Sequence, residues 1–145
     1  MSKKINKIQD MIIEEFSKLN DWFDKYEYLI NLGKTLEPAD EKLKTEENSI
    51  GGCQSKVWLK AEITDKKIHY LADSDSLIVR GMISLLLRVV NNQYPEDIVN
   101  ADLYFIDRIG LNSNLSPTRV NGLMSILKQI KSYAKMAPNI RNSDV

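Results

Sequence analysis

The sequence is poor in the residues that metal and redox sites require. Its 145 residues contain one cysteine, Cys53, and one histidine, His69. A structural zinc site uses four cysteine, histidine or carboxylate ligands at motif spacing, and a cluster held by cysteines needs several thiolates. A lone cysteine also excludes an internal disulfide, which is typical of a reducing compartment. We therefore expect no metal site and no cofactor of the chain's own.

Charge of one sign and long apolar runs are lacking as well. Twenty basic residues balance twenty acidic ones, so no overall field attracts nucleic acid or a membrane surface. The most apolar run, residues 82–90, is interrupted by Ser84 and Arg88 and falls short of the roughly 18 apolar residues of a membrane span. The N-terminal segment has no apolar core and no small-residue cleavage site, so we expect no signal peptide. These absences predict a cytoplasmic protein that binds neither nucleic acid nor membranes.

The periodicity of the apolar residues changes along the chain. Residues 1–33 have helical spacing and predict a hairpin of two helices, with Gly33 just past the second. Residues 57–64 alternate with a period of two, and after a turn residues 68–72 read as an antiparallel partner. Ser49 and Ile50 are predicted to add a short third strand. The result is a three-stranded antiparallel β-meander.

Several helices follow the strands. The segment "DSDS" at residues 73–76 is predicted to end the sheet and cap a buried helix over residues 77–91. Shorter helices are predicted over residues 95–99 and 101–109. Ser116 followed by proline opens the last helix.

Together these patterns predict an α+β domain in which the later helices pack on one sheet face. We assign residues 1–138 to this single domain and residues 139–145 to a frayed C-terminal tail. A monomer is the default expectation.

Cys53 lies in "ENSIGGCQSKVWL", between two glycines and a predicted strand. Gly51 and Gly52 permit a tight reversal, which places the thiol on a loop, where function concentrates. The segment matches neither the P-loop nor the GxGxxG phosphate pattern. A free cysteine is often a buried apolar residue, but this context favours a nucleophile. Because a second cysteine would discharge a persulfide as a disulfide, a lone thiol suits the carriage of sulfur.

Few residues are available to activate this thiol. Cys53 and His69 form a possible nucleophile–base pair, but His69 lies in the second predicted strand, and a single histidine is more often structural. Asp73 and Asp75 form an acidic pair that helix capping explains more simply than acid–base chemistry.

The segment "GCQSKVWL" resembles the cysteine signature of the SufE family of sulfur-acceptor proteins, which includes the CsdE-like paralogues. Four longer segments resemble the same family in the family's order and span residues 22–134: "WFDKYEYLINLGKTLEP", "TEENSIGGCQSKVWL", "ADSDSLIVRGMISLLL" and "LSPTRVNGL". The combination is more specific than any single piece. The resemblance implies a SufE/NifU-like α+β fold.

The resemblance also implies a function. A SufE-like protein accepts persulfide sulfur from a cysteine desulfurase, stimulates that desulfurase, and passes the sulfur to a SufBCD-like iron–sulfur scaffold complex. The pyridoxal phosphate belongs to the desulfurase. The chain would thus be a carrier and activator with a covalent cysteine persulfide rather than a free-standing enzyme. The paralogues share these motifs, so the motifs leave open which desulfurase is the partner.

The resemblance assigns roles to individual residues. Cys53 is the persulfide acceptor, and Arg119 is expected to face it and stabilise the sulfur anion. The residues expected to shape the loop are Gly51, Gly52, Gln54 and Ser55. Those expected to contact the partner are Asp75, Trp58 and Arg80. We expect a partly sheltered thiol whose loop turns outward when the partner binds.

Three alternatives stay open at this point. The first is a non-covalent allosteric adaptor of the desulfurase with an incidental cysteine. The second is a scaffold on which clusters are built, and the third is a cysteine hydrolase. A single cysteine argues against the scaffold, and the lack of a clear base argues against the hydrolase.

Overall fold

The computed structural model describes residues 3–137, and the tail predicted at residues 139–145 lies outside them. The described chain is an α+β structure of seven α-helices, one short 3₁₀ helix and two strands. In chain order the elements are α1 (Lys3–Ser17), α2 (Trp22–Thr35), the 3₁₀ helix (Glu41–Leu43), β1 (Val57–Thr64), β2 (Lys67–Ser74), α3 (Leu77–Val90), α4 (Pro95–Asn100), α5 (Phe105–Arg108), α6 (Leu111–Asn114) and α7 (Pro117–Lys135). Among residues 3–137 there is no helix long and apolar enough to cross a membrane.

β1 and β2 form an antiparallel hairpin that confirms the strand pair predicted from the alternating pattern. Their register runs from the pair of Val57 with Ser74 to the pair of Thr64 with Lys67. The two residues of the connecting turn, Asp65 and Lys66, both have positive φ angles, of 53° and 69°. A two-residue turn of this kind matches the right-handed twist of the flanking strands.

The predicted third strand is wrong for the described chain, in which the sheet has two strands. Ser49 forms only an isolated bridge to Trp58. Ile50 donates its backbone N–H to the carbonyl oxygen of Val57 over 2.9 Å. Residues 46–48 turn just before this segment and residues 51–52 turn just after it. Too few extended residues remain between the two turns to continue a ladder.

α3 is the most buried helix, as its apolar composition predicts. Nine of its fourteen residues are buried: Ile78, Val79, Gly81, Met82, Ile83, Leu85, Leu86, Val89 and Val90. α7 lies over the buried face of the hairpin, where the hydroxyl of Tyr70 on β2 donates to the carbonyl oxygen of Ile130 over 2.6 Å. These contacts place the core between the hairpin, α3 and α7.

α2 crosses α3 at two glycines. A Cβ atom built on Gly33 would lie 2.2 Å from the carbonyl oxygen of Leu77, and one on Gly81 would lie 2.0 Å from that of Leu29. The sequence predicted Gly33 just past the end of its helix. This prediction is wrong, because α2 continues to Thr35. Gly33 is a buried contact residue that lets two backbones approach closely.

The helix predicted over residues 101–109 is shorter than expected. Residues 101–103 are irregular, and α5 begins only at Phe105. The fully buried side chain of Gln9 on α1 donates to the carbonyl oxygen of Asp102 over 3.0 Å and accepts from the N–H of Phe105 over 3.2 Å. Because this side chain satisfies the backbone groups that a longer helix would pair internally, the helix starts late.

We expect Gly81→Ala to lower the free energy of unfolding by about 1 to 3 kcal/mol, because the added methyl group overlaps the backbone of α2. The sign of this change is informative, since replacing glycine by alanine at an ordinary helix position raises the stability of the helix by about 1 kcal/mol. Urea unfolding followed by circular dichroism measures the change.

Gly51→Ala is the matched control, because a Cβ atom at Gly51 would have nothing within 4 Å. Its free energy of unfolding should change by less than about 0.5 kcal/mol. A Gly81→Ala protein as stable as this control would contradict the close crossing.

Candidate functional site

Cys53 lies on the loop that leads into β1, and this loop rests on α7. The thiol Sγ lies 3.7 Å from the carbonyl oxygen of Gly122, to which it donates a weak hydrogen bond. A Cβ atom on Gly122 would lie 3.6 Å from Sγ, an ordinary van der Waals distance, so the sulfur lies directly against this position of α7. The cysteine is partly buried. The sheltered thiol expected from the sequence is therefore what the structure describes.

The two glycines before Cys53 differ in their surroundings. Gly52 has a φ of +80°, and a Cβ atom on it would lie 2.9 Å from Oγ of Ser125 on α7. This position favours glycine both for its backbone angle and for its space. Gly51 has open space around it. The loop thus packs against α7 at Gly52, whereas the side-chain position of Gly51 faces open space.

The sulfur faces a cleft of about 320 Å³. Its lining comes from the cysteine loop, β1, α3 and α7: Cys53, Gln54, Ser55, Val57, Val79, Met82, Thr118, Arg119, Gly122, Leu123 and Ile126. Burial raises the pKa of the Cys53 thiol above its ordinary value. A buried thiol favours its neutral form because the thiolate loses hydration. At neutral pH the resting sulfur is therefore protonated.

Arg119 lines the same cleft as Cys53, as expected, but its guanidinium is turned towards α2. Its Nη1 donates to the hydroxyl of Tyr26 over 3.4 Å. Its Cζ lies 5.9 Å from the centroid of the same ring. The structure thus brings the predicted pair into one cleft without a hydrogen bond between them.

Asp75 fastens the C-terminal end of the cysteine loop. Its Oδ1 accepts from the backbone N–H of Lys56 over 3.0 Å. The hydroxyl of Ser74 donates to the carbonyl oxygen of Lys56 over 2.7 Å. The predicted capping role is wrong for both Asp73 and Asp75, because Ser76 provides the side-chain cap of α3. Asp75 therefore holds the C-terminal end of the cysteine loop.

Asp73 and Arg80 form an ion pair that the sequence did not predict. The carboxylate is 2% exposed and also accepts from the N–H groups of Ala39, over 3.1 Å, and Ser74, over 2.7 Å. Arg80 Nε donates to the carbonyl oxygen of Gly33 over 3.0 Å. With 13% of its side chain exposed, Arg80 is a structural tie rather than an accessible docking residue. No local sequence pattern predicts this ion pair, because the pair depends on the direction that α3 takes from the end of β2.

The remaining predicted residues lie around the loop. Gln54 is exposed and Ser55 partly buried, and both line the cleft. Trp58 is partly buried on the face of β1 opposite to the core, where Nζ of Lys44 lies 5.5 Å from its ring centroid. Trp58 therefore lies on the other side of the sheet from the sulfur cleft.

His69 is not part of the site. It pairs with Glu62, five positions along the hairpin from the Val57 end that borders the cleft, which is roughly 17 Å at strand spacing. It does not line the cleft, so the Cys53–His69 pair is not formed in the described chain. Within residues 3–137 there is also no group of three or more histidine, cysteine or acidic side chains placed to hold a metal ion.

Comparison with known proteins identifies the family of the chain. Residues 10–134 match the model of the SufE family, described as an Fe-S metabolism associated domain. An uncharacterised SufE-like protein of Rhizobium meliloti (strain 1021) is 38% identical over 131 residues, which cover 87% of this chain and 94% of that protein.

Two further relatives and one solved structure agree. The cysteine desulfuration protein SufE of Wigglesworthia glossinidia brevipalpis is 37% identical and covers 93% of this chain and 94% of its own. SufE-like protein 1 of Arabidopsis thaliana, chloroplastic/mitochondrial, is 36% identical over 88% of this chain and 34% of its own length. The solution structure of a hypothetical protein from Thermus thermophilus has a TM-score of 0.74 over 91% of this chain and 96% of that one. At 18% identity this last likeness concerns the fold alone.

The raised pKa of Cys53 predicts slow alkylation at neutral pH. The midpoint of the rate against pH should lie above that of the urea-unfolded chain, because the folded thiol holds its proton more tightly. By linkage, the stabilising effect of the buried neutral thiol is present below the unfolded pKa and is lost as pH rises through the folded one. Iodoacetamide rates measured between pH 6 and 10 test this. A folded midpoint at or below the unfolded one would contradict it.

Asp75→Ala should loosen the cysteine loop, because it removes the acceptor of the Lys56 N–H. We expect at least a threefold faster alkylation of Cys53 at pH 8 and a loss of about 1 kcal/mol in the free energy of unfolding.

Asp40→Ala is the matched control. Asp40 also accepts from a backbone N–H, that of Lys42 over 3.0 Å, but it does so in the 3₁₀ segment. Equal alkylation rates in the two variants would show that Asp75 does not hold the loop.

Proposed function

This chain belongs to the SufE family, and we propose that it accepts persulfide sulfur from a cysteine desulfurase onto Cys53. The observation that carries the proposal is the placement of the chain's only thiol, on a loop with glycines at one end and a fixed residue at the other. The cleft beneath it shelters the sulfur without enclosing it. A lone acceptor thiol is sufficient for one transfer.

The transfer is a displacement at sulfur. The proton of the Cys53 thiol goes to solvent, and the thiolate attacks the outer sulfur of the partner's persulfide. A sulfur–sulfur bond forms to Cys53 as the one to the partner's cysteine breaks, and the partner leaves as a thiolate. The number of electrons is unchanged, so no external oxidant or reductant takes part.

The loop supplies the motion that such a transfer needs. Gly51 and Gly52 give its N-terminal end conformational freedom, while Asp75 and Ser74 hold Lys56 at the other end. We infer that the loop turns outward about this fixed end when a desulfurase binds, with Gln54 and Ser55 moving with the cysteine. Arg119 stabilises the sulfur anion while the sulfur lies in the cleft.

Family membership supports the remaining steps of the proposal. The carrier stimulates its desulfurase and delivers sulfur to an iron–sulfur scaffold complex of the SufBCD type. Asp75, at the fixed end of the loop, borders the partner's contact surface, whereas Trp58 lies on the other face of the sheet, and the pyridoxal phosphate stays with the desulfurase. A reducing cytoplasm suits the reaction, because it keeps a single thiol free.

A non-covalent adaptor of the desulfurase is the second candidate. One observation favours it: at rest the thiol is partly buried and its pKa is raised, as for a cysteine that only fills space. In that case the protein stimulates its partner through surface contacts alone.

Mass spectrometry of the intact protein tests the first candidate. After incubation with desulfurase, cysteine and pyridoxal phosphate, without reductant, Cys53 should carry an added mass of about 32 Da, one sulfur atom. Dithiothreitol should remove the added mass.

Cys53→Ser separates the two candidates. A sulfur acceptor loses both the added mass and the stimulation of the desulfurase with this substitution. Full stimulation by Cys53→Ser, together with an unmodified wild-type protein, would establish the adaptor and reject sulfur transfer.

A further inference from the structure

We propose that Tyr26 is a positioning residue that holds Arg119 away from Cys53 in the resting chain and releases it when the sulfur becomes an anion. The value of this arrangement to sulfur transfer rests on the proposed function. The arrangement itself is a property of the isolated chain, so it can be measured without a desulfurase.

The phenol of Tyr26 makes two contacts with one guanidinium. Its hydroxyl accepts from Nη1 of Arg119 over 3.4 Å, and its ring centroid lies 5.9 Å from Cζ. Both distances are at the long end of their kind, so each contact is weak. Trp22, one turn earlier on α2, holds the phenol edge-on with the ring centroids 6.3 Å apart. The ring is therefore supported from its own helix, and the arginine is the partner that can leave.

Arg119 has the sulfur as an alternative partner. Its backbone is fixed in the first turn of α7, where Oγ of Ser116 accepts its N–H over 3.3 Å. Gly122, whose carbonyl oxygen accepts from the thiol of Cys53, lies three residues further along the same helix. Residues three apart on a helix are surface neighbours. A change of side-chain rotamer therefore moves the guanidinium from Tyr26 towards the sulfur while the backbone stays in place.

Arg119 is the only charged side chain among the described residues that line the cleft with Cys53. β1 contributes Val57, and α3 contributes Val79 and Met82. Along the loop the next charged residue after Cys53 is Lys56, whose backbone N–H donates to the carboxylate of Asp75 at the C-terminal end. Within this lining a sulfur anion thus has one candidate counter-charge, and Tyr26 engages it.

Two states follow. With a neutral thiol, the sulfur offers the guanidinium little, and Tyr26 holds Arg119. With a thiolate or persulfide anion, Coulomb attraction in the partly buried cleft exceeds two weak contacts, and the arginine moves. Because Tyr26 is only partly buried, a protein docked over the cysteine loop can also displace the arginine directly.

The test is the pH dependence of Cys53 alkylation by iodoacetamide in Tyr26→Leu and Tyr26→Phe. Leucine removes both contacts with Arg119, so the midpoint should move to lower pH by about half a unit, or about a threefold higher thiolate fraction at neutral pH. Phenylalanine keeps the ring and removes the hydrogen bond, so a smaller shift in the same direction is expected. Circular dichroism verifies folding, and Tyr26→Phe, the milder substitution, suffices for the test if the leucine variant does not fold.

The matched controls are Arg119→Gln and the double variant Tyr26→Leu with Arg119→Gln. If Tyr26 acts through the arginine, these two proteins have the same midpoint. A profile in both Tyr26 variants that superposes on the wild type, or that moves to higher pH, would overturn the proposal. So would a shift that survives in the double variant, because it would not pass through Arg119. Failure of sulfur transfer would leave these profiles unchanged.

Discussion

The close crossing of α2 and α3 at Gly33 and Gly81 is the contact on which the rest of the site depends. A side chain at either glycine would meet backbone at 2.2 Å or less. At this separation Arg80 reaches the carbonyl oxygens of Gly33 and Leu36 and pairs with Asp73. The next two residues, Ser74 and Asp75, hold Lys56. A backbone contact in the core thus fixes one end of the cysteine loop.

The same crossing determines the charge around the sulfur. It places α2 so that Tyr26 meets Arg119, which lines the cleft, while α3 contributes only apolar side chains to the lining. The sulfur therefore lies in a partly apolar cleft whose single cation is bonded elsewhere. Burial then raises the pKa of Cys53 without opposition from a neighbouring charge. The packing of α2 against α3 thus affects which charges lie near the sulfur of Cys53.

Periodicity predicted what depends on local sequence. The bounds of α3 and α4, the β1–β2 hairpin and the cap at Ser116 follow from patterns within a few residues, and the glycines beside Cys53 marked the loop. What failed depends on distant partners. Gln9 shortens α5 from 96 residues away, and Gly33 looks like a helix end until α3 is placed beside it. Arg80 and Tyr26 belong to the same class, because Arg80 bonds to Gly33 and Leu36, 47 and 44 residues away, and Tyr26 to Arg119, 93 residues away. A single sequence carries no signal for such pairs.

A carrier thiol has to satisfy two opposing demands. Reaction with a persulfide requires thiolate, whereas thiolate in free solution is open to oxidation. A permanently low pKa would meet the first demand and fail the second. In this chain the resting sulfur is sheltered and protonated, and it rests on α7 through a weak hydrogen bond to Gly122, while Arg119 is held by two weak contacts to Tyr26. On the proposed function, those weak contacts are what a partner must break, so reactivity arises where the donor is bound. A thiol that is inert alone is then a requirement of sulfur carriage rather than evidence against it.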